Sequence, residues 1–102
     1  MAPMKRHHIT LGARTTADGV VTSASSFVSI DGARIALEGD AISCHGCGNI
    51  GTIQCTGPRT QERFNGRLVA LEGDLCICNC ATPPTLLPSQ GARYQTVEDT
   101  AA

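Results

Sequence analysis

The chain has 102 residues with no Trp, one Tyr and two Phe, against eleven Gly and five Pro; that length and composition allow one domain with a small core and many turns. Its formal net charge is −1, with no long run of either sign, which argues against a general nucleic-acid or anionic-membrane surface. No segment approaches the roughly 20 apolar residues of a membrane-spanning helix, and "MAPMKRHHITLGA" has basic residues without the apolar run of a signal peptide.

Taken in chain order, residues 1–7 form an N-terminal segment, and at its end His7 and the following His8 adjoin Lys5 and Arg6. Neighbouring strand residues point to opposite faces, so the two histidines are expected to be an exposed stretch and not a paired site. From residue 8 the pattern is short-period throughout. "VVTSASSFVSIDGARIALEGD" offers β-branched pieces separated by Ser-Ser, Asp-Gly and Gly-Asp, which are strand and turn signals. Asp31-Gly32 and Asn65-Gly66 are the strongest hairpin turns, because both can take the positive φ of a type I′ turn. Each precedes a short apolar strand, "RIAL" or "LVAL", and then Glu-Gly-Asp.

These matches define a repeat. At an offset of 34, Gly32 falls on Gly66, Ala36 on Ala70, Leu37 on Leu71, Glu38-Gly39-Asp40 on Glu72-Gly73-Asp74, and Cys44 on Cys78. A fainter third copy lies in "HITLGARTTADGVV", where Gly12 aligns with Gly39 and Gly73 while Ala13 replaces the aspartate. Three units of strand, turn and strand predict a small all-β fold with pseudo-three-fold symmetry over residues 8–90. The segment 81–90 holds three Pro and cannot be helical, although Leu86 and Leu87 could form a last edge strand. Residues 91–102 form a C-terminal tail, whose end "TVEDTAA" (96–102) is small and polar and is expected to fray. The Glu-Gly-Asp carboxylates read as turn formers whose aspartates accept backbone N–H bonds, not as an acid–base pair. No nucleophile, base and orienting residue converge, so an enzyme is not expected.

The six cysteines carry the chemistry. Cytosolic synthesis is the default expectation for such a chain, and cytosolic thiols stay reduced, so the cluster reads as metal-binding before it reads as disulfide-bonded. Cys44-x-x-Cys47-Gly48 is a knuckle-like pair, and Cys76-x-Cys78-x-Cys80 would project three sulfurs to one face of an extended strand. Zinc takes tetrahedral thiolate ligation from two separated pairs. Cys44 and Cys78 are the first choices by repeat equivalence, Cys47 by spacing, and Cys80 by analogy; Cys76, Cys55 and His45 are reserves. Such a closed site, holding one zinc ion, is structural and not catalytic. The rival readings are a cysteine-rich zinc module binding nucleic acid or protein, with Arg59, Arg63 and Arg67 as its modest basic set, a disulfide-bonded domain, and a thiol redox pair.

Two Gly-Asp turns, each preceded by Asp/Asn-Gly and a short strand and followed by cysteine, resemble the PAAR-repeat family over about residues 8–90. The family line runs Asn-Gly, Pro-Ala-Ala-Arg, Val-Gly-Asp, then Cys-Pro-x-His-Gly. Here it reads Asp31-Gly32, Arg34-Ile35-Ala36-Leu37, Glu38-Gly39-Asp40 and Cys44-His45-Gly46-Cys47-Gly48. Only the second Ala of the family tetrapeptide survives. Cys47 stands where a ligand His is usual, and Ala17 or Asp18 where another is common, so a cysteine-rich site replaces the mixed one. The resemblance implies a conical cap on the trimeric VgrG spike of a type VI secretion system, with zinc near its point. It also implies separate effector proteins as cargo, a bacterial cytoplasmic state before firing, and secretion or injection afterwards.

Overall fold

The computed structural model describes residues 3–30, 32–44, 48–57, 59–60, 62–64, 66–78, 82–90 and 93–98. These form ten short strands and no helix: β1 (Pro3–His7), β2 (Val20–Val21), β3 (Ser29–Ile30), β4 (Ala33–Arg34), β5 (Ala41–Cys44), β6 (Asn49–Gln54), β7 (Arg63–Phe64), β8 (Arg67–Leu68), β9 (Leu75–Ile77) and β10 (Tyr94–Glu98). The hairpins expected at 31–32 and 65–66 are present. Strand β3 pairs with β4, and β7 with β8, each across a two-residue loop. Gly32 (φ 86°) and Gly66 (φ 77°) take the left-handed conformation those loops require.

Three units meet at one closed ring of backbone hydrogen bonds. The Ile9 N–H donates to the Ala70 carbonyl (3.0 Å), the Ala70 N–H to Ala36 (3.0 Å), and the Ala36 N–H to Ile9 (2.8 Å). All three residues are fully buried. The same three-fold pattern repeats outward. Gly12, Gly39 and Gly73 donate to Val21, Ile53 and Leu86; Leu11, Glu38 and Glu72 donate to Arg34, Leu68 and His7. The faint third copy is therefore a full structural unit.

Strand alternation divides the core between the two sides of this ring. Ile9, Ala36 and Ala70 pack with Val21, Ile42, Ile53, Leu86 and the cysteines Cys44 and Cys76. Ile35, Leu37, Val69 and Leu71 pack on the other side with Ile30. The first unit offers His8 and Thr10 at the matching positions, and both are buried. Glu62 Oε1 lies 2.9 Å from His8 Nε2 and Ser89 Oγ 2.8 Å from Thr10 Oγ1, while His8 Nδ1 is buried without a hydrogen-bond partner.

The chain ends complete the symmetry. Two units carry a hairpin ribbon; the first carries instead the antiparallel pair β1–β10, with His7 opposite Tyr94 where Arg34 meets Ser29 and Leu68 meets Arg63. This corrects the expectation of a frayed tail over Thr96–Glu98, which pair with β1; residues 99–102 lie outside the described residues. It also corrects the reading of His7 and His8 as an exposed stretch. His8 is buried, and His7 Nδ1 lies 2.9 Å from Glu72 Oε1. Pairing with β10 and the carboxylates of Glu72 and Glu62, which meet His7 and His8, outweigh the polar character of the sequence there.

Each Glu-Gly-Asp turn closes as expected: Asp40 Oδ2 accepts the Leu37 N–H and Asp74 Oδ2 the Leu71 N–H, both at 2.7 Å. An arginine from the neighbouring unit locks each turn. Arg67 donates to the Glu38 carbonyl and to Asp40; Arg6 donates to the Glu72 carbonyl and to Asp74. Asp74 accepts from Arg59 and from the Thr56 N–H as well. In the first unit the aspartate position is Ala13 and the arginine position is Ala33, so both partners of the pair are replaced together. Burial works against the charge of Asp40, but hydrogen bonds from Ser25 and Leu37 and the Arg67 charge outweigh it and hold its pKa below 3.8.

Asp74→Ala leaves the buried Arg6 and Arg59 without their carboxylate and should cost about 3–5 kcal/mol in denaturant unfolding. Arg67→Ala, at a side chain 40% exposed, should cost about 1 kcal/mol or less. Equal losses for the two variants would contradict this account of the network.

Candidate metal centre

All three units run on from the ring into the four-stranded antiparallel sheet β2-β5-β6-β9, to which the first gives β2, the second β5 and β6, and the third β9. Cys44 ends β5, opposite Asn49; Cys76 lies in β9, opposite Ile53; Cys78 follows β9 directly. Their Sγ atoms all lie within 4.8 Å of one another. Cys44 Sγ and Cys78 Sγ are 3.3 Å apart, close to the ~3.8 Å that two thiolates adopt on a tetrahedral ion at about 2.3 Å each. Cys44 and Cys76 are buried and Cys78 is partly exposed.

Glycine makes this convergence possible. A Cβ on Gly51 in β6 would stand 2.7 Å from the Ile77 carbonyl, 2.9 Å from Cys76 Sγ and 3.1 Å from Cys78 Cβ. A Cβ on Gly19, in the first unit, would stand 2.7 Å from the Ser43 carbonyl and 3.4 Å from Cys44 Cα. Both positions are held to glycine by close approach and not by φ.

The donor set fits a thiophilic ion. Three sulfurs with no carboxylate among them suit zinc or another soft cation better than magnesium or calcium. Without an ion, burial first, and then the neighbouring Cys78 and Cys44, push the Cys76 thiol up to about 12. A bound cation supplies the positive charge that makes a cluster of thiolates tolerable at neutral pH.

Sequence reasoning placed Cys44 and Cys78 first, and the fold brings these two together. Cys47, Cys80 and the reserve His45 lie outside the described residues. Cys76, held as a reserve, stands in the cluster; the Cys76-x-Cys78 alternation was its signal. Cys55 is elsewhere, with its Sγ 3.9 Å from the Val69 carbonyl and its thiol raised to about 12 by burial and the nearby Asp74 carboxylate. The role of Gly51 was missed, although a glycine inside an otherwise good strand is a mark of close approach.

The result is an all-β chain wound three times about one axis, in which three thiols from two units lie close enough to hold a metal ion. The family model described as PAAR motif matches residues 11–82, more than two thirds of the chain, and the chain belongs to that family. No curated relative and no solved structure matches it.

Gly51→Ala should separate β6 from β9, lower stability by about 1–3 kcal/mol, and weaken metal binding by tenfold or more in a chelator competition. Ser43→Ala on the facing strand should change neither. Because Cys55 and Cys76 hold their protons more tightly folded than unfolded, their contribution to the metal-free protein is complete below pH 9 and lost as pH rises towards 12. The urea midpoint of metal-free protein should therefore fall between pH 9 and 10.5, and less so in a Cys55→Ser/Cys76→Ser variant. An unchanged slope in that variant would show that other groups govern the alkaline loss.

Proposed function

We propose that the chain is a structural cap for the blunt end of a trimeric VgrG-type spike in a type VI secretion system, one chain per trimer. The observation that supports it best is the closed ring through Ile9, Ala36 and Ala70. A single asymmetric chain built on a three-fold frame can present one unit to each of three identical subunits. PAAR-motif proteins are associated with such spike tips, and their role is structural and not enzymatic. In this reading the protein resides in the bacterial cytoplasm until firing, is then secreted or injected, and serves effectors that are separate proteins.

The thiol cluster is the staple of that cap. One zinc ion is held by Cys44 and Cys78, with Cys47 and Cys80 completing the set proposed from spacing and Cys76 close enough to replace either. Structural zinc contributes on the order of 10 kcal/mol of folding free energy in zinc-finger peptides. Among the described residues, the side of the ring that carries the cysteines is otherwise built of Ala, Val, Ile and Leu. The nucleic-acid reading finds no support: Arg59 and Arg67, two of its three arginines, are engaged with Asp74 and Asp40.

Native mass spectrometry of the chain with its trimeric spike partner should give one chain per three subunits and one zinc per chain. Chelation should lower the thermal midpoint by roughly 10 °C or more. Three chains per trimer, or an association that needs DNA, would sink the cap reading.

A further inference from the structure

We propose that Cys44 and Cys78 form a reversible disulfide when the chain meets a peroxide, so that the two units remain joined when metal is lost. The metal half of this statement rests on the proposed zinc site; the disulfide half stands on sulfur geometry alone.

Cys44 Sγ and Cys78 Sγ are 3.3 Å apart, and a disulfide needs about 2.05 Å. The shift is little more than an ångström between side chains that already face one another. They sit at equivalent positions of the repeat, 34 residues apart, so the bond would join one unit to the next. Cys78 is the partly exposed member, whereas Cys44 and Cys76 are buried. A small oxidant therefore reaches Cys78 first. A Cys76–Cys78 bond would close a ring within one strand and pull Cys76 away from its pairing with Ile53.

The chemistry balances with hydrogen peroxide. The Cys78 sulfur attacks one peroxide oxygen, the O–O bond breaks, and a sulfenic acid and one water result. Cys44 sulfur then attacks the sulfenic sulfur, the S–O bond breaks, and a second water leaves with the disulfide formed. Two thiols lose two electrons and two protons, and one peroxide is reduced to two waters. Both sulfurs are thereby withdrawn from a metal, so ion and disulfide exclude one another. Either one ties the same two units, which would keep the second and third units joined through a passage from reducing to oxidising surroundings.

The test treats the purified full chain with stepwise hydrogen peroxide after recording its zinc with a chromophoric chelator. Remaining thiols are alkylated in acid, and unreduced peptides are mapped by mass spectrometry. We expect a Cys44–Cys78 linked peptide lighter by two hydrogens, its loss on adding dithiothreitol, and zinc release in step with its formation. The oxidised metal-free chain should melt several degrees above the reduced metal-free chain. Cys44→Ser should instead accumulate over-oxidised Cys78; the wild-type peptide map decides the disulfide by itself, even where that variant folds poorly. Linkage chiefly through Cys47, Cys76 or Cys80, or sulfinic Cys78 beside alkylated Cys44, overturns the switch. Zinc that stays bound while the disulfide forms overturns the exclusion, and zinc absent at the outset overturns the metal reading while the peptide map still decides the disulfide.

Discussion

Everything in this chain depends on three peptide groups. The ring in which Ile9, Ala70 and Ala36 each donate to the next fixes three distant stretches about one axis. All three residues are fully buried, so a broken member would leave a donor and an acceptor with no water to replace them. The ring also demands small or aliphatic side chains close to the axis, because three backbones converge there. That explains why the fully buried core is built largely of Ala, Val, Ile and Leu: of the three aromatic residues, Phe27 and Tyr94 are exposed and Phe64 packs, only partly buried, against the second cluster.

Around that frame the units differ in what locks them. Two use an arginine–aspartate pair that ties a Glu-Gly-Asp turn to the strand of the neighbouring unit. The first has Ala13 and Ala33 in the same two places. Loss of the arginine alone would leave a buried carboxylate, whereas loss of both leaves the buried methyl of Ala13 and the half-buried one of Ala33. Symmetry of the backbone thus survives divergence of the charges.

What could be read in the sequence follows the same division. The two plain copies were legible because Asp31-Gly32, Asn65-Gly66 and the Gly-Asp turns are local signals with local causes. The third copy showed only as Gly12, since its locking pair is absent and its ribbon joins residues from opposite ends of the chain. No local pattern in "MKRHH" or "YQTVE" announces that His7 will face Tyr94; that pairing exists only because the ring brings the ends round. At the site, Cys44 and Cys78 followed from the repeat. The close approach at Gly51 did not, because it is set by the spacing of β6 and β9 and not by any residue's own preference.

The cysteines also explain why the symmetry is broken where it is. By the register of the repeat, Ala17 takes the place of Cys44 and Cys78, and Thr15 that of Cys76. The first unit closes on itself instead. Thr15 Oγ1 accepts the N–H groups of Ala17 and Gly19, at 3.2 and 2.9 Å, and Asp18 takes the left-handed turn between them at φ 60°. A hydroxyl thus caps the loop of the one unit that contributes no sulfur to the cluster. Three sulfurs from the two cysteine-bearing units converge on one side of a three-fold frame, while the unit without cysteine closes its own loop.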